Sequence, residues 1–315
     1  VSFGLQWKDN SSSYFFSNVL QASGGMSGFT HLSLPVFIAL IIAWVMIFFF
    51  IKKGHETVKK TFLIAASIFT ALLLFLLFFS LTLDNALTGV HLLLNPNFSG
   101  LADLNIWLVS FYMAIISLGI SFGIMPVLSR KAEKGFVTGN SFLAAFSEII
   151  ISIAMVLIIA GFLGFLSLSK GIGLGRLVFS NYTSTFTIFA DVFLFLEKGA
   201  LLSLMFFLFM AITFIFAAAI LAYAISHVIV HKFSTKHVNA SILVCGLGFL
   251  SGLIFVIKPG IYIMDIVSHF LSYNILIAVF FEAIAVGWFF NSEKISPILY
   301  SMVLGYRCSV ADALL

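Results

Sequence analysis

The sequence predicts an all-α membrane protein that crosses the bilayer several times. Of its 315 residues, 62% are hydrophobic and only 9% are charged, a balance that soluble domains do not show. At least six apolar runs have the roughly 20 residues that a spanning helix needs. A further observation concerns the apolar run 106–128, where two glycines and two serines fall within seven residues. This run is predicted to be a broken helix.

The interruption reads Ser-Leu-Gly-Ile-Ser-Phe-Gly over residues 117–123. Glycine costs a helix interior about 1 kcal/mol relative to alanine, and serine competes for backbone hydrogen bonds. In lipid, an unwound turn has to be buried by protein or line a watery cavity. Secondary transporters use such turns to hold ions and solutes at mid-membrane. The residues alone fit two interpretations: a transport site, or a kinked structural helix at a close helix crossing.

The chain is predicted to alternate between spanning helices and loops. Residues 1–32 are polar and aromatic, which predicts an extracellular loop with a short helix around 15–21. The predicted spans are, in order, 33–51, a span ending near 83, the discontinuous segment 106–130, 136–168, 199–231, a span ending near 256, and 262–290.

The loops differ in composition. Residues 84–105 contain no Lys or Arg and are predicted to be an extracellular loop. Residues 169–198 are rich in Gly and then in Ser and Thr, with an apolar stretch inside, which predicts a lid-like loop with a short helix. Residues 291–315 form a tail without a complete span. We expect the chain to be a fragment of a longer protein, cut at both ends.

Charge distribution predicts the orientation. Lysine and arginine are concentrated in the loops 52–60, 130–135 and 232–237, which places these loops in the cytoplasm. The alternation requires 106–128 to cross the membrane once, as two half-helices. Because the basic residues lie in loops rather than on one face, the net charge of +4 does not indicate nucleic-acid binding. We expect a multi-pass protein of the cell (plasma) membrane.

Several segments resemble, in order, parts of the neurotransmitter:sodium symporters. Residues 117–123 resemble the S-L-G-x-G-F-G of the broken sixth helix in that family, with Ser121 in place of a glycine. The similarity extends over about residues 14–292. The other matching segments are Asn18-Val19-Leu20-Gln21 with Ser23-Gly24-Gly25, Ala43-Trp44-Val45 with Lys53-Gly54, Asn95-Pro96-Asn97-Phe98 with Leu101 and Trp107, and Met264-Asp265 with Phe281-Glu282.

The resemblance implies a transporter core of two inverted five-helix repeats. Residues 33–83 then provide helices four and five of the first repeat, and residues 106–290 provide the second repeat, including the 169–198 loop. Helices one to three are outside the chain, so the chain alone is not expected to transport. The implied function is sodium-coupled symport of a small amino acid or related amine by alternating access, with the oligomeric state left open.

The resemblance also implies a set of binding residues. Ser117 corresponds to a position that reaches the first sodium ion and the substrate carboxylate, and a neutral hydroxyl is a suitable hard ligand. Ile116, Leu118, Gly119 and Phe122 correspond to the substrate pocket, where glycine allows close backbone approach. A helix-capping role for Ser117 and a packing role for Phe122 remain alternatives.

The family places another ligand of the first sodium ion on helix seven. The short loop before this helix leaves two registers open, so either Ser147 or Glu148 takes that place. If it is Glu148, Ser152 falls where chloride-dependent members carry a serine; if it is Ser147, that place goes to Ile151. An acid inside a span is a functional candidate, although a helix-packing carboxyl is the alternative.

Helix eight departs from the family. The positions of the second sodium site fall on Ala211, Phe214 and Ile215, with only Thr213 polar nearby. Phenylalanine and isoleucine side chains offer no oxygen, so this site is predicted to be degraded. Met113 replaces the chloride-site glutamine, which leaves chloride dependence open.

Two other functions compete with transport. A non-transporting, receptor-like or scaffold-like relative is favoured by the changes on helix eight. An intramembrane enzyme would need a nucleophile or a metal cluster, and the spans show no suitable spacing of Cys, His and Asp. His227 and His231 share one helix face and are predicted to lie at the membrane interface rather than to bind a metal.

Overall fold

Almost all of the described chain is helical. This computed structural model describes residues 6–7, 11–26, 28–29, 31–52, 54–95, 98–120, 122–124, 127, 137–174 and 182–289. Its helices are α1 (Ser11–Tyr14), α2 (Leu34–Ile51), α3 (His55–Leu81), α4 (Ala86–Leu94), α5 (Leu104–Leu118), α6 (Val137–Lys170), α7 (Tyr182–Leu194), α8 (Gly199–Phe233), α9 (His237–Gly252) and α10 (Gly260–Ile284). Short 3-10 or π turns lie at Phe15–Val19, Phe98–Ala102, Leu253–Phe255 and Ala285–Phe289.

Among the described residues, six stretches of helix are long and apolar enough to cross a membrane. They are Leu34–Ile51, Val58–Leu81, Leu143–Lys170, Gly199–Phe233, His237–Phe255 and Gly260–Ile284. These stretches coincide with the continuous spans predicted from the apolar runs, and they confirm an all-α polytopic membrane protein. Large apolar side chains such as Ile64, Phe78 and Phe280 are exposed on their surfaces, as expected where lipid is the solvent.

The connection between α3 and the next long helices is more ordered than the sequence predicts. Over 84–105 the sequence predicts a plain loop, but the structure has α4 and a 3-10 turn there. Asn85 adopts a left-handed conformation (φ 61°) immediately before α4, a conformation that asparagine tolerates better than most residues. A helix of nine residues is too short to stand out from the apolar pattern of the sequence.

The α4 helix packs directly on the backbone of α6. A Cβ at Gly89 of α4 would overlap the Ala160 carbonyl oxygen of α6. The Asn85 side chain donates a hydrogen bond from Nδ2 to the Gly164 carbonyl oxygen, 3.0 Å away. Glycine at this crossing lets the two backbones approach closely, as it does in membrane helix pairs. This contact fixes the C-terminal end of α3 against the C-terminal part of α6.

The described chain forms two compact units, Val1–Asn97 with Ile153–Ile266 and Phe98–Ser152 with Val267–Leu315. In the first unit, α8 packs against α2, α3 and α9. Aromatic rings join these helices: Phe50 of α2 stacks on Phe216 of α8 at 4.8 Å, and Phe69 of α3 lies 5.2 Å from Phe209. Such ring pairs add to the apolar burial between helices.

The segment 169–198 contains the predicted short helix, α7, which is firmly packed on α8. Phe189, Val192 and Phe193 of α7 are almost fully buried, and Phe189 lies 4.4 Å from Phe206 of α8 by ring centroids. Asp191 of α7 forms an ion pair with Lys170 at the end of α6. The lid-like role of this segment stays a prediction.

The turns of the first unit group at opposite ends. Gly54, between α2 and α3, lies against the ring of His237 at the start of α9, so two of the lysine-rich turns meet. At the other end, Lys258 donates its backbone N–H to the His31 carbonyl oxygen at 3.1 Å, and Ser33 donates to Val256 at 2.8 Å. This grouping agrees with the alternation that the loop charges predict.

Replacing Gly89 with alanine is expected to lower stability by about 1–3 kcal/mol, because the added methyl group forces the α4 and α6 backbones apart. Unfolding on heating in detergent can be followed with a thiol-reactive dye that labels Cys245, a side chain only 8% exposed, in a Cys308→Ser background.

Gly246→Ala is the matched control. A Cβ at Gly246 of α9 meets nothing within 4 Å, so this variant is expected to keep its stability or gain up to about 1 kcal/mol. Equal transition temperatures for the Gly89 and Gly246 variants would contradict the close packing of α4 on α6.

Candidate functional site

The predicted break lies at the C-terminal end of α5. This helix has 15 residues and rises only about 22 Å, less than the roughly 30 Å of a hydrocarbon core. It ends at Leu118, and the next residue, Gly119, has φ 67°. Gly123 again has a positive φ, 68°. Both glycines occupy the left-handed region that other residues enter only at a cost, so the glycines of the motif account for the interruption.

Backbone hydrogen bonds at this end form a Schellman motif. The N–H of Gly119 donates to the Ile116 carbonyl oxygen at 3.0 Å, and that of Ile120 donates to Ile115 at 3.1 Å. These bonds satisfy two of the last carbonyl groups of α5, as this motif does generally. Among the described residues, no backbone N–H beyond α5 donates to the carbonyl oxygens of Ser117 or Leu118. The carbonyl oxygens of Ser117 and Leu118 are therefore candidate ligands at the break, where Ser121 lies outside the described residues.

The Ser117 hydroxyl adds a third oxygen next to these carbonyls. Its Oγ donates to the Ala114 carbonyl oxygen at 3.0 Å, and a hydroxyl that donates once still has lone pairs to offer a cation. Ser117 is exposed, and Ile116, Leu118, Gly119 and Phe122, the other predicted pocket residues, are half-buried.

The second predicted ligand group lies on α6. Ser147 donates its hydroxyl to the Leu143 carbonyl oxygen at 2.7 Å. Glu148 accepts a hydrogen bond at Oε1 from the Ser152 hydroxyl, 2.7 Å away and one turn on. Both Ser147 and Glu148 are half-buried. The sequence noted Ser152 only as a chloride-linked position, and its bond to Glu148 emerges from the structure.

In the described part of the chain, side-chain hydrogen bonds do not join Ser117 on α5 to Ser147 or Glu148 on α6. Ser117, Ser147 and Glu148 all belong to the second unit, but their side-chain bonds in the described part of the chain stay within their own helices. In the same part of the chain, no group of three or more His, Cys, Asp or Glu residues could hold a metal ion. The side chains of Ser117, Ser147 and Glu148 offer two hydroxyl oxygens and one carboxylate.

Ala211, the position predicted for a second sodium ion, lies in the middle of the continuous helix α8. The hydroxyl of the neighbouring Thr213 donates to the Phe209 carbonyl oxygen at 2.9 Å, and Phe214 is exposed. A continuous helix engages its carbonyl groups internally. Among Ala211, Thr213 and Phe214, the Thr213 hydroxyl is therefore the one side-chain oxygen, as the sequence already indicated.

The family model of the sodium:neurotransmitter symporters matches residues 2–311. The chain belongs to the Sodium:neurotransmitter symporter family. This confirms the resemblance predicted from residues 14–292, and it makes the chain part of a family of integral membrane transporters rather than enzymes.

Similar proteins in this family come from distant organisms. The chain is 29% identical to an uncharacterized sodium-dependent transporter of Methanocaldococcus jannaschii, over 90% of this chain and 58% of that protein. It is 23% identical to the human sodium- and chloride-dependent GABA transporter 2, over 92% of this chain and 49% of that protein. It is also 23% identical to a sodium- and chloride-dependent taurine transporter of Rattus norvegicus, over 92% and 48%. The chain thus spans about half the length of the curated relatives it matches.

Replacing Gly119 with valine is expected to destabilise the end of α5 by roughly 1–2 kcal/mol, because a β-branched residue is strained at positive φ. Gly119→Asn is the comparison variant and is expected to cost less. Trp107 of α5, whose Nε1 donates to the Leu101 carbonyl oxygen at 2.9 Å, can report local unfolding by fluorescence once the other tryptophans are replaced. Wild-type behaviour of both variants would contradict the left-handed conformation at Gly119.

Proposed function

We propose that this chain is part of a sodium-coupled symporter for a small amino acid or related amine. The observation that carries the proposal is the interrupted helix α5, which ends beside the exposed residue Ser117 in a chain of the sodium:neurotransmitter symporter family. The similar proteins are named as sodium-dependent transporters, among them transporters of GABA and taurine. Amino-acid-like solutes share a cationic amine and, in most cases, an acidic group.

The coupling chemistry follows from the oxygens at the break. Sodium is a hard cation that prefers carbonyl, hydroxyl and carboxylate oxygens, and the break offers the carbonyls of Ser117 and Leu118 with the Ser117 hydroxyl. The α6 ligand, Ser147 or Glu148, would complete the protein side of the site. Gly119 would let a solute carboxylate approach the backbone and the bound sodium ion.

Alternating access gives the sodium ion its role in transport. A bound cation stabilises the state that accepts solute. The coupling free energy is the amount by which bound sodium changes the binding free energy of the solute, and bound solute changes that of sodium by the same amount. Closure under the 169–198 segment would then follow solute binding. We propose one sodium ion at the break, and no chloride ion at a standard site, because Met113 replaces the chloride-site glutamine.

The chain alone is proposed to be inactive, because helices one to three of the family carry much of the sodium and substrate site. Its partners would therefore be these further helices, the lipid bilayer and the small-molecule solute. Transport assays need a protein that carries this chain together with the segments that the relatives have beyond it.

Ser117→Ala in such a protein is expected to raise the sodium concentration for half-maximal uptake about tenfold, the effect of losing roughly 1.4 kcal/mol of cation binding. Uptake of labelled amino acids into proteoliposomes, compared between sodium and choline buffers, measures this change. Ser110→Ala is the matched control, because Ser110 also donates to its own helix, at 2.7 Å to the Ile106 carbonyl oxygen, but lies two turns before the break.

Equal uptake in sodium and choline buffers would contradict the proposal that transport is coupled to sodium. Solute-dependent thermal stabilisation without uptake would instead favour a receptor-like relative, for which the oxygen-poor positions Ala211, Phe214 and Ile215 on α8 are the supporting observation.

Glu148→Gln and Ser147→Ala decide which α6 residue is the ligand. If Glu148 binds sodium, its loss as an anion is expected to weaken sodium-dependent uptake by about 1.5–3 kcal/mol, the range for contacts to a charged group, while Ser147→Ala changes little. The reverse pattern would assign Ser147. Ser152→Ala serves as a control that removes the hydrogen bond to Glu148 but keeps the carboxylate.

A further inference from the structure

The first described residues of the chain are bonded to α7. Trp7 donates a hydrogen bond from Nε1 to the Ala190 carbonyl oxygen at 3.0 Å. Ser11, which is buried, donates its hydroxyl to the Thr187 carbonyl oxygen at 3.1 Å. The two bonds join residues that are 183 and 176 positions apart in the sequence. Each bond therefore fixes the beginning of the described chain to a helix far along it.

Aromatic rings extend this contact to α8. Phe15 stacks on Phe186 of α7, with ring centroids 5.9 Å apart and 9° between the ring planes. Phe186 in turn stacks on Phe207 of α8 at 6.4 Å, and Trp7 meets the same Phe207 ring edge-on at 6.4 Å. Such ring pairs add to the free energy of apolar burial. The beginning of the described chain thus covers the line along which α7 and α8 meet.

The α7 helix is held on two faces. Phe189 and Phe193 are buried, and their ring centroids lie 4.4 Å and 5.5 Å from that of Phe206 on α8. Thr187 and Ala190 instead accept the two hydrogen bonds from the beginning of the chain. A movement of α7 away from α8 therefore breaks the contacts on one face and displaces the residues that are bonded to the other.

The same part of the chain is also bonded to the turn between α9 and α10. Lys258 in this turn donates its backbone N–H to the His31 carbonyl oxygen at 3.1 Å and accepts from the N–H of Ser23 at 3.3 Å. The Tyr262 hydroxyl donates to the Ser23 carbonyl oxygen at 3.1 Å. We call the described residues between 6 and 33 the strap. The strap therefore has two attachments, one on α7 and one on the turn between α9 and α10.

Backbone hydrogen bonds within the strap stiffen the part between its two attachments. The N–H groups of Leu20 and Ala22 each donate at 2.9 Å, to the carbonyl oxygens of Phe15 and Phe16 respectively. These bonds close and extend a short π-helical turn. A chain with fixed internal geometry transmits a displacement that a flexible linker would absorb. A shift at one attachment is thus passed to the other.

We propose that the strap is a mechanical link, which holds α7 on α8 and couples the release of α7 to the release of the turn between α9 and α10. When α7 leaves α8, the strap is displaced with it, and the backbone bonds between the strap and Lys258 break. The link uses residues of the first unit alone. It is independent of the sodium site and of any closure of the 169–198 segment over a solute.

Amide hydrogen exchange, resolved to single residues, tests the first attachment. The sample is a membrane-embedded protein that carries this chain together with the further helices of its relatives. Trp7→Phe combined with Ser11→Ala removes both hydrogen bonds to α7 and keeps an aromatic ring at position 7. Exchange at the α7 amides is expected to rise about tenfold, because local opening then breaks two fewer bonds. Unchanged exchange at α7 would overturn the proposal.

The amide of Lys258 reports the second attachment in the same experiment. The double variant is expected to raise its exchange at least about threefold, although neither substitution touches the turn between α9 and α10. Met26→Ala is the matched control, since Met26 lies in the strap but is 52% exposed, and it is expected to leave both α7 and Lys258 unchanged. A rise at α7 without a rise at Lys258 would overturn the coupling.

A flexible insertion tests whether the strap itself carries the coupling. About six Gly and Ser residues, enough to form a flexible linker, are inserted between Gln21 and Ala22, which separates the two attachments and keeps the residues of both. In this background the double variant is expected to speed exchange at α7 but not at Lys258. The same rise at Lys258 would overturn the strap as the link. Ser11→Ala alone, with a smaller expected rise at α7 and Lys258, replaces the double variant if that variant also speeds exchange in the middle of α9.

Discussion

A backbone carbonyl group inside a bilayer needs a partner, and α5 ends where two carbonyls receive none from the described backbone beyond it. This requirement is why the break is a candidate binding site. In water such an end would be solvated, but at membrane depth it is tolerated only where protein or a watery cavity meets it. The left-handed glycines at 119 and 123 hold the chain in that interrupted form. We propose that the oxygens of Ser117 and Leu118 at this end bind a cation.

The spanning helices follow from simpler physics. Apolar runs long enough to cross a bilayer become helices, so their number and order could be predicted from the sequence. The α4 helix could not, because its position depends on the fit of Gly89 against Ala160 and on the bond from Asn85 to Gly164. Those contacts join residues about 70 to 80 positions apart, and local composition carries no trace of them.

The candidate site was predictable to a similar degree. The Ser-Leu-Gly motif located the break and named Ser117 and Gly119, because glycine and serine are out of place in an apolar helix. The sequence could not choose between Ser147 and Glu148, since that choice depends on the register after the 129–136 loop, which lies outside the described residues. Nor could it pair Ser152 with Glu148, because that pair depends on side-chain rotamers.

The central claim is that sodium binds at the interruption of α5. Hydrogen exchange of the amides at 117–123 tests it most directly, in a membrane-embedded protein that carries this chain with the further helices of its relatives. We expect sodium, but not potassium at equal ionic strength, to slow exchange at these amides and to leave the middle of α8 unchanged. Identical exchange in the two salts would contradict a sodium site, and protection typical of a continuous helix through 117–123 would contradict the break itself.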